Sequence, residues 1–323
     1  MAKQKQLKTI LLFSGGLDSM LALKILEQQK IKAKLLTFTS FFFNAKQAKK
    51  SAKILNKKIK IIDISREHLR IVRNPKFGYG KTINPCLDCH LLMLKQAKKI
   101  LLKEKFDFIS TGEIVGQRMM SQRMDCFKLM DKKTGLRNKI FRPLSARILE
   151  KTIFEKESLI DREKSLNISG KSRKQQIFLA KKFNIKKYPS PAGGCILTDL
   201  NFSKRLKKLF SFKKNISKND IELLKIGRHF YKDGFTIIIG RNYQENLKLK
   251  HLALKSNILI ELDKILGPTA LIKIKKCSEV EKKEILFKTA KLIKKYSREA
   301  KKLNKVKIKY WNKSKNNKKF IEV

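Results

Sequence analysis

Residues 9–23 constrain the fold of this chain more than any other stretch. Residues 10–13 form an apolar run with the length and composition of a buried strand. A Ser14-Gly15-Gly16 turn follows, and Asp18 and Ser19 then stand where a helix begins, ahead of apolar residues at helical spacing. A strand, a small-residue turn and a helix N-terminus in this order predict an anion site, because free backbone N–H groups and the positive helix end point at one place.

The turn lacks the Gly-Lys-Ser/Thr ending of a Walker A loop, so no lysine follows it to reach a terminal phosphate. It resembles instead the PP-loop, the Ser-Gly-Gly-x-Asp-Ser signature of ATP pyrophosphatases, through Ser14, Gly15, Gly16, Asp18 and Ser19. The resemblance implies that these residues bind ATP, that the loop holds its pyrophosphate, and that AMP is transferred to an oxygen of the substrate. It also gives Asp18 a catalytic role in positioning Mg²⁺. A first-turn acid that only favours the helix N-terminus is the alternative.

Strand and helix patterns alternate after this motif. Residues 34–39, 59–64 and 107–111 are apolar or β-branched runs, and helical patterns separate them. Such alternation predicts an α/β fold, a parallel sheet with helices on both faces. Ligands of these sheets bind at the carboxyl ends of the strands, where the Ser14 turn lies.

The polar stretch 112–122 follows the strand that ends at Thr111, so it should face the same cleft. Arg118 and Gln122 are therefore candidates for contacts with ATP or RNA phosphates; the alternative is a helix start with a solvated arginine. Residues 146–188 are basic and predicted to be helical. Within them Lys171 and Arg173 belong to a Ser-Gly-Lys-Ser-Arg turn that is either a phosphate contact or a solvated run of charge.

The five cysteines are an odd number, which argues against a disulfide framework. Cys86 and Cys89 form a Cys-x-x-Cys pair at a helix start, a position that suits both a reactive thiol and two neighbouring metal ligands. Cys195 is presented by a loop with two prolines and two glycines. Cys126 and Cys277 lack such settings and are predicted to be packing residues.

A PP-loop, an Asn-Pro-x-x-x-Cys segment and a distant loop cysteine resemble the ATP-dependent tRNA thiolation enzymes, especially the tRNA 2-thiouridylases. Cys89, after Asn84-Pro85, falls on the first functional cysteine of that pattern and Cys195 on the second. Thr111-Gly112 falls on a Thr-Gly-His motif and is implied to contact ATP, although Glu113 replaces the histidine. The resemblance implies that ATP adenylates a nucleoside carbonyl oxygen in tRNA and that sulfur then displaces AMP.

Two mechanisms share the cysteines. Cys195 carries a persulfide that Cys89 resolves, or Cys86, Cys89 and Cys195 bind a [4Fe–4S] cluster that holds sulfide at its open iron. We favour the cluster, because Cys86 has no role in the persulfide scheme. A zinc site with His90 as fourth ligand is a weaker alternative. The sulfur donor is free sulfide, or a persulfide or carrier protein.

The C-terminal part is predicted to be a small basic α+β domain. Its segments 227–231 and 235–246, which include Arg228 and Arg241, resemble the RNA-binding domain at the end of some ribosome-quality-control proteins. Aromatic residues among the basic ones suit stacking on unpaired bases, while a lysine-biased surface without RNA is the alternative. Residues 312–319 are predicted to be a disordered basic tail.

The formal net charge is +51, and most of the basic residues are lysines. A field of this sign attracts polyanions, with nucleic acid as the first expectation. No apolar run approaches the roughly 20 residues that span a bilayer, and the basic N-terminus runs straight into the first strand, so we expect a cytoplasmic protein.

These observations predict a PP-loop domain over residues 1–200 and an RNA-binding domain over 201–323, which together catalyse ATP-dependent tRNA sulfur transfer. One alternative is a PP-loop ligase that adds an amine, which needs no exposed cysteines. Another is a non-catalytic RNA-binding protein with a vestigial loop, against which the intact Ser-Gly-Gly-x-Asp-Ser argues.

Overall fold

The computed structural model describes residues 6–191, 195–232, 234–274, 278–313 and 317–323. Cys277 and the glycines of the loop before Cys195 lie outside these ranges, so the predictions made for them have no structural counterpart. The chain folds into two compact units, Met1–Ser203 and Lys204–Val323. In the described part of the chain, no helix is both long and apolar enough to cross a membrane.

The first unit alternates strands and helices, as the hydrophobic pattern predicts. Its elements are β1 (Lys8–Leu12), α1 (Leu17–Gln28), β2 (Lys32–Thr39), α2 (Lys46–Ile54), β3 (Ile59–Asp63), α3 (Ser65–Arg73), α4 (Cys86–Lys103), β4 (Phe108–Thr111), α5 (Met124–Thr134), β5 (Ile140–Phe141), α6 (Ile153–Lys156) and α7 (Lys174–Lys182). Short 3₁₀ turns occur at Ala146–Ile148 and Ile196–Thr198.

The sheet of this unit is parallel, with the strand order β3-β2-β1-β4-β5. The order reverses between β1 and β4, which pair directly so that Leu12 lies opposite Thr111. Open α/β sheets bind ligands in the crevice outside such a switch point. The PP-loop after β1 and the Thr111-Gly112 segment after β4 therefore leave the sheet side by side, and the predicted α/β fold is confirmed.

Apolar side chains cover both faces of the sheet. One core cluster joins Leu21 and Ile25 of α1 to Ala180 of α7. The other joins Leu94 of α4 to Phe127 of α5. Helix spacing places these residues on one face of each helix, and their burial supplies the hydrophobic term that holds helices to sheet.

The prediction that residues 146–188 are helical is largely wrong. Helix is confined there to Ala146–Ile148, Ile153–Lys156 and Lys174–Lys182. The rest of the segment bonds to distant backbone instead: Leu166 N–H donates to Pro143 O, and Gly170 N–H donates to Val115 O. These long-range partners compete with the helix hydrogen bonds that the local pattern favours.

The second unit is antiparallel. Helix α8 (Leu200–Phe212) begins shortly before the division. The remaining elements are α9 (Lys218–Leu224), β6 (Arg228–Lys232), β7 (Phe235–Ile239), α10 (Tyr243–Leu252), β8 (Ile258–Leu262), β9 (Ala270–Ile274), α11 (Glu279–Tyr296), a 3₁₀ turn at Ala300–Lys302, β10 (Lys307–Asn312) and β11 (Lys319–Glu322). Strand order in the sheet is β11-β10-β8-β9-β7-β6.

Two core clusters lie on the faces of this sheet. Ile285, Ala290 and Ile293 of α11 pack against one face, and Leu249 of α10 belongs to the cluster on the other. The predicted disordered tail over 312–319 is wrong where the structure describes it: Asn312 ends β10, and Lys319 begins β11, which pairs antiparallel with β10. Ile321 lies opposite Ile308 in this pair and joins the core.

Candidate nucleotide and sulfur site

The PP-loop has the geometry of an anion cradle. Gly15 adopts a φ of +80°, and a Cβ there would lie 2.6 Å from the backbone of Ala48, so only glycine fits. The Ser19 hydroxyl accepts from the Gly15 N–H at 3.1 Å and donates to the Gly16 carbonyl at 2.8 Å. No side chain caps the N-terminus of α1. Its first-turn N–H groups thus remain available to a phosphate.

Ser14 and the segment after β4 border this cradle. The Ser14 side chain is exposed and accepts from the Gly16 N–H at 3.3 Å. A Cβ on Gly112 would lie 2.7 Å from the Ser19 backbone nitrogen, so the backbone of this segment packs directly on the first turn of α1. The structure therefore brings Thr111 and Gly112 to the PP-loop, where the sequence predicts them.

Only one of the two carboxylate oxygens of Asp18 accepts a hydrogen bond from the described residues. Its Oδ2 accepts from the Gln117 side chain at 3.0 Å, whereas Oδ1 is buried without a hydrogen-bond partner. Burial raises the pKa of this carboxyl above its ordinary value, against the lowering effects of the Gln117 hydrogen bond and the Arg173 charge. A buried, unpartnered carboxylate oxygen is a hard ligand of the kind Mg²⁺ takes, so Asp18 fits the metal that the PP-loop implies.

Gln117 and Gln176 are site residues that the sequence analysis missed. Gln176 is fully buried on α7. Neither its amide nitrogen nor its oxygen meets hydrogen-bond geometry with a described residue, but the side chain lies close enough to Asp18 to lower the pKa of that carboxyl. It shares the buried face of that helix with Ala180, four residues later. A polar residue on an otherwise buried helix face was the available signal. The Gln122 Oε1 is likewise buried without a partner.

Two of the predicted phosphate contacts lie close to Asp18. The charges of Arg173 and Arg118 both act on the Asp18 carboxyl, and the Arg118 charge also acts on the Cys195 thiol. Arg118 is exposed, so it remains accessible to a ligand. Lys171 is exposed as well, next to Gly170, whose N–H donates to the Val115 carbonyl at 2.8 Å.

The Cys86–Cys89 pair forms the first turn of α4. The Asn84 amide donates to the Cys86 Sγ at 3.3 Å, and its oxygen accepts from the Thr82 N–H at 3.2 Å. The Thr82 hydroxyl in turn lies 2.7 Å from the Leu197 carbonyl, two residues after Cys195. This chain of hydrogen bonds joins the loop before α4 to the segment that carries the third cysteine.

The three thiols lie within electrostatic range of one another. Burial raises the pKa of the Cys89 thiol, and the Cys195 and Cys86 thiols raise it further. Among the described residues, no three His, Cys, Asp or Glu side chains are close enough to hold a single metal ion. The donor set still suits an iron–sulfur cluster, because thiolates are its usual ligands and four irons with their sulfides occupy more space than one ion.

Glu113, which replaces the histidine of the Thr-Gly-His motif, is part of a buried charge network. Its carboxylate lies 2.8 Å from the His90 Nδ1 and 3.2 Å from the Arg142 Nε, and it accepts from the Thr111 hydroxyl at 3.0 Å. Burial alone would raise the pKa of Glu113, but the His90 hydrogen bond and the Arg142 charge lower it to about 2. The replacement is therefore compensated by neighbours, and His90 Nδ1 is engaged by Glu113.

Removing the arginine of this network should destabilise the first unit. Arg142 is 3 % exposed and pairs with both Glu113 and Asp131. We expect Arg142→Ala to lower the free energy of unfolding by about 3–5 kcal/mol, because two carboxylates lose their buried partner. Urea titration followed by circular dichroism measures this. Arg123→Ala, which breaks an exposed pair with Asp125, is the matched control and should cause no measurable change; equal effects would contradict the prediction.

The two arginines singled out in the second unit already have partners. The Arg228 guanidinium lies over the Tyr296 ring at 4.7 Å. The Arg241 Nε donates to the Glu245 carboxylate at 3.0 Å, and the same carboxylate accepts from the Gly227 N–H at 3.1 Å. Arg241 therefore helps to join the turn before β6 to the start of α10, and its role in RNA binding stays a prediction.

Comparison with known families agrees with this geometry. Residues 4–160 match the family model of the thiamine biosynthesis protein ThiI, and residues 227–323 match that of the NFACT protein RNA-binding domain. The chain is therefore similar to the first family over its N-terminal part and to the second over its C-terminal part. The PP-loop, Cys86, Cys89 and the Thr111-Gly112 segment fall inside the ThiI-type match, whereas Cys195 lies beyond its end. No curated protein sequence matches the chain.

Three solved structures are similar to the chain at low identity. A protein described as a predicted subunit of tRNA methyltransferase from Methanocaldococcus jannaschii shares 19% identity over 55% of this chain and 76% of its own, with a TM-score of 0.36. The U34-tRNA thiolase NcsA from Methanococcus maripaludis, solved with its [4Fe-4S] cluster, shares 17% over 72% and 74%, with a TM-score of 0.33. A 4-thiouridine synthetase–RNA complex with bound ATP shares 20% over 68% and 52%, with a TM-score of 0.36.

Proposed function

We propose that this chain is an ATP-dependent tRNA sulfurtransferase, which adenylates a nucleoside carbonyl oxygen in tRNA and replaces that oxygen with sulfur. The observation that carries the proposal is the position of Arg118, whose charge acts on both Asp18 and Cys195. This supports a single site in which the nucleotide loop and the cysteines act together. The ThiI-type and NFACT-type matches support the same function.

The PP-loop binds the phosphates of ATP in this proposal. The N–H groups at the start of α1, with Ser14, Gly15, Gly16 and Ser19 around them, receive the departing pyrophosphate. Asp18 would hold Mg²⁺ through its unpartnered Oδ1, and the ion would supply positive charge to the phosphates when bound. The backbone of Thr111-Gly112 limits the cradle on the side of β4.

The reaction needs two displacements. The nucleoside carbonyl oxygen attacks the α-phosphorus of ATP, and the bond to pyrophosphate breaks. Sulfide then attacks the activated carbon, and the carbon–oxygen bond breaks as AMP leaves with the original oxygen. Negative charge develops on the phosphate oxygens in these steps, and hydrogen-bond donors aimed at such charge lower the activation barrier. In this proposal Arg118 and Arg173, whose charges act on Asp18, are those donors.

Cys86, Cys89 and Cys195 hold a [4Fe–4S] cluster in this proposal. When bound, such a cluster would supply a binding site for the sulfide that the reaction consumes. The chain's own part is to hold three thiols together: Cys86 accepts from Asn84, and the Cys195 segment is tied to the same loop through Thr82. A persulfide on Cys195 remains the competing route.

The RNA partner is tRNA, and both units contact it. In the first unit we assign this contact to Arg118 and Arg173, whose charges act on Asp18, and to Gln122 and Lys171. In the second unit we assign it to Arg228 and Arg241, which fall inside the match to the NFACT RNA-binding domain. The net charge of +51 favours binding to the phosphate backbone. The proposed sulfur donor is sulfide or a persulfide carrier. The proposed location of the protein is the cytoplasm, where tRNA and reduced thiols occur together.

An anaerobic thiolation assay tests the function. The reconstituted chain is incubated with unmodified tRNA transcripts, ATP, Mg²⁺ and sulfide, and nucleosides are analysed by mass spectrometry together with AMP and pyrophosphate. We expect a thionucleoside that requires ATP and appears in step with AMP. AMP release with an amine added would favour the ligase, and tRNA binding without any AMP would favour a non-catalytic RNA-binding protein.

Gln176 provides a test of the nucleotide site that separates binding from stability. Replacing its unpartnered buried amide by an apolar group should not cost stability, so Gln176→Leu is expected to unfold at the same or a higher urea concentration. We expect its KM for ATP to rise about tenfold, because leucine can neither donate to ATP nor act on the Asp18 carboxyl as the Gln176 amide does. Gln175→Leu, at the exposed neighbouring position, is the control. An unchanged KM in Gln176→Leu would remove Gln176 from the site.

A further inference from the structure

A surface cavity of about 150 Å³ lies in the second unit, among residues that take no part in the nucleotide and sulfur site. Helices α8 and α9 and strands β6, β7 and β9 contribute its walls. Its polar and charged lining residues are His229, Tyr231, Thr236, Asp220, Lys213 and Lys273. Apolar residues such as Leu209, Phe212 and Ile238 complete it. The match to an RNA-binding domain covers β6, β7 and β9 but assigns no role to this cavity.

His229 offers the cavity an unpaired acceptor. Its Nε2 lies 2.9 Å from the Ile226 carbonyl, which can only accept, so Nε2 carries the proton. Burial lowers the pKa of His229 to about 4, and the ring is therefore neutral at physiological pH. The Nδ1 then presents a lone pair, which is buried and has no partner. A buried acceptor of this kind is satisfied only when a ligand or water donates to it.

Tyr231 adds a hydroxyl and an aromatic platform. Its OH is buried without a partner, and burial raises the pKa of this phenol to about 12, so it keeps its proton. The ring stacks on His229, with centroids 6.1 Å apart and planes inclined by 22°, and meets the Phe212 ring edge-on at 5.7 Å. His229 and Tyr231 stand two positions apart, on one face of β6, and both line the cavity, so an acceptor and a donor belong to the same wall.

Cations surround the cavity, but its one carboxylate is already satisfied. Lys208 lies over the Tyr231 ring at 5.2 Å. The Asp220 carboxylate accepts from Lys213 at 2.7 Å, from Lys273, and from the Ser217 N–H and hydroxyl at 2.8 and 2.7 Å. Among the polar groups of the lining, the His229 Nδ1 and the Tyr231 hydroxyl are therefore the ones that a ligand can hydrogen-bond. The nearby lysines suit the phosphates of a nucleic acid.

The chemistry of the cavity selects a neutral, planar ligand. An anion would meet the His229 lone pair, which repels it, whereas a ring edge with an N–H next to an acceptor matches His229 Nδ1 and the Tyr231 hydroxyl. A cavity of 150 Å³ is known to hold one six-membered ring. We propose that this cavity binds one unpaired pyrimidine base of RNA. The base is unpaired because its hydrogen-bonding edge is used by the protein, and the inference rests on the proposal that the chain binds RNA.

Binding of short RNAs to the full chain tests this inference. Fluorescence anisotropy at constant salt compares fluorescein-labelled hexauridylate and hexaadenylate with the wild type, Tyr231→Phe and the control Tyr310→Phe, a tyrosine on β10 outside the cavity lining. We expect the wild type to prefer hexauridylate. Tyr231→Phe keeps the ring and should weaken hexauridylate binding about fivefold, as for one lost hydrogen bond, with hexaadenylate binding unchanged.

The outcomes separate this inference from the proposed function. If the wild type binds both RNAs equally, or if Tyr231→Phe binds hexauridylate as the wild type does, the cavity holds no base and water satisfies the two groups. If the full chain binds neither hexanucleotide nor tRNA, RNA binding itself fails. A 5-iodouridine hexanucleotide should also cross-link to a residue of the cavity lining on irradiation, and cross-links confined to residues outside that lining would overturn the assignment.

Discussion

Cys86→Ser, Cys89→Ser and Cys195→Ser are each expected to abolish both the brown iron–sulfur absorbance and tRNA thiolation. Each thiol lies within electrostatic range of the others, and a cluster with three protein ligands does not survive the loss of one. Anaerobic reconstitution followed by iron and acid-labile sulfide analysis measures the cluster, and mass spectrometry of tRNA nucleosides measures the activity. We expect thiolation to fall at least about 1,000-fold, equivalent to about 4 kcal/mol of activation free energy.

Cys126→Ser is the matched control for these variants. Cys126 is a half-buried free cysteine on α5, outside the set of thiols that act on one another, and its replacement should leave absorbance and activity unchanged. An iron-free wild type in which Cys86→Ser still thiolates tRNA, while Cys89→Ser and Cys195→Ser do not, would contradict the cluster and establish the persulfide route. Thiol-independent release of AMP would instead favour the amine-adding ligase.

Asp18→Asn is expected to remove ATP-dependent AMP formation without destabilising the protein. The bare Oδ1 is the oxygen that faces the proposed Mg²⁺, and an amide binds this cation more weakly than a carboxylate does. We expect the rate to fall at least about 100-fold, which is about 2.7 kcal/mol. A buried carboxylate with one unpartnered oxygen costs the folded state free energy, so the neutral asparagine should unfold at the same or a higher temperature.

Loss of activity with retained stability distinguishes a functional aspartate from a structural one. Asp125→Asn, at an exposed first-turn position of α5, is the control and should change neither quantity. A lower melting temperature in Asp18→Asn with normal AMP formation would show that Asp18 only supports the N-terminus of α1. Pyrophosphate release and differential scanning fluorimetry on the same preparations measure the two effects.

The α/β fold and the nucleotide loop could be predicted because their determinants are local. Residues 8–28 contain a strand, a turn whose Gly15 needs a positive φ, and a helix start in immediate succession. The second unit was predicted in outline, as a small basic α+β domain, for the same reason, since a strand such as β7 is rich in β-branched residues.

Two predictions failed where distant partners override local pattern. Residues 146–188 carry helical composition, yet much of their backbone bonds to segments near β4 and β5, such as Leu166 to Pro143. Residues 312–319 were predicted to be a disordered tail, but Lys319 begins strand β11 (Lys319–Glu322), which pairs antiparallel with β10. The sequence of residues 146–188 does not reveal that they bond to the backbone near β4 and β5, and the sequence of β11 does not reveal that it pairs with β10. Such pairing depends on which segments the tertiary fold brings together.

The candidate site also combines features that local sequence predicts with features that only long-range contacts produce. Spacing identified Cys86 and Cys89, and the Pro/Gly loop and the resemblance to thiolation enzymes identified Cys195. Only the folded chain brings Cys195 within electrostatic range of the pair, and a hydrogen bond from Thr82 to Leu197 joins the two segments. The polar Gln176 on an otherwise buried helix face was a local signal, but only the folded chain brings Gln117 and Gln176 to Asp18.

Local sequence thus decided which elements form and where the phosphate loop lies, because backbone conformation and hydrophobic period act over a few residues. Tertiary structure alone decided which side chains are buried without partners and which charges meet. Glu113 illustrates this: it departs from the motif in sequence, and only packing supplies His90 and Arg142 to compensate it. Desolvation and charge pairing depend on neighbours in space, and those neighbours come from segments far apart in the chain.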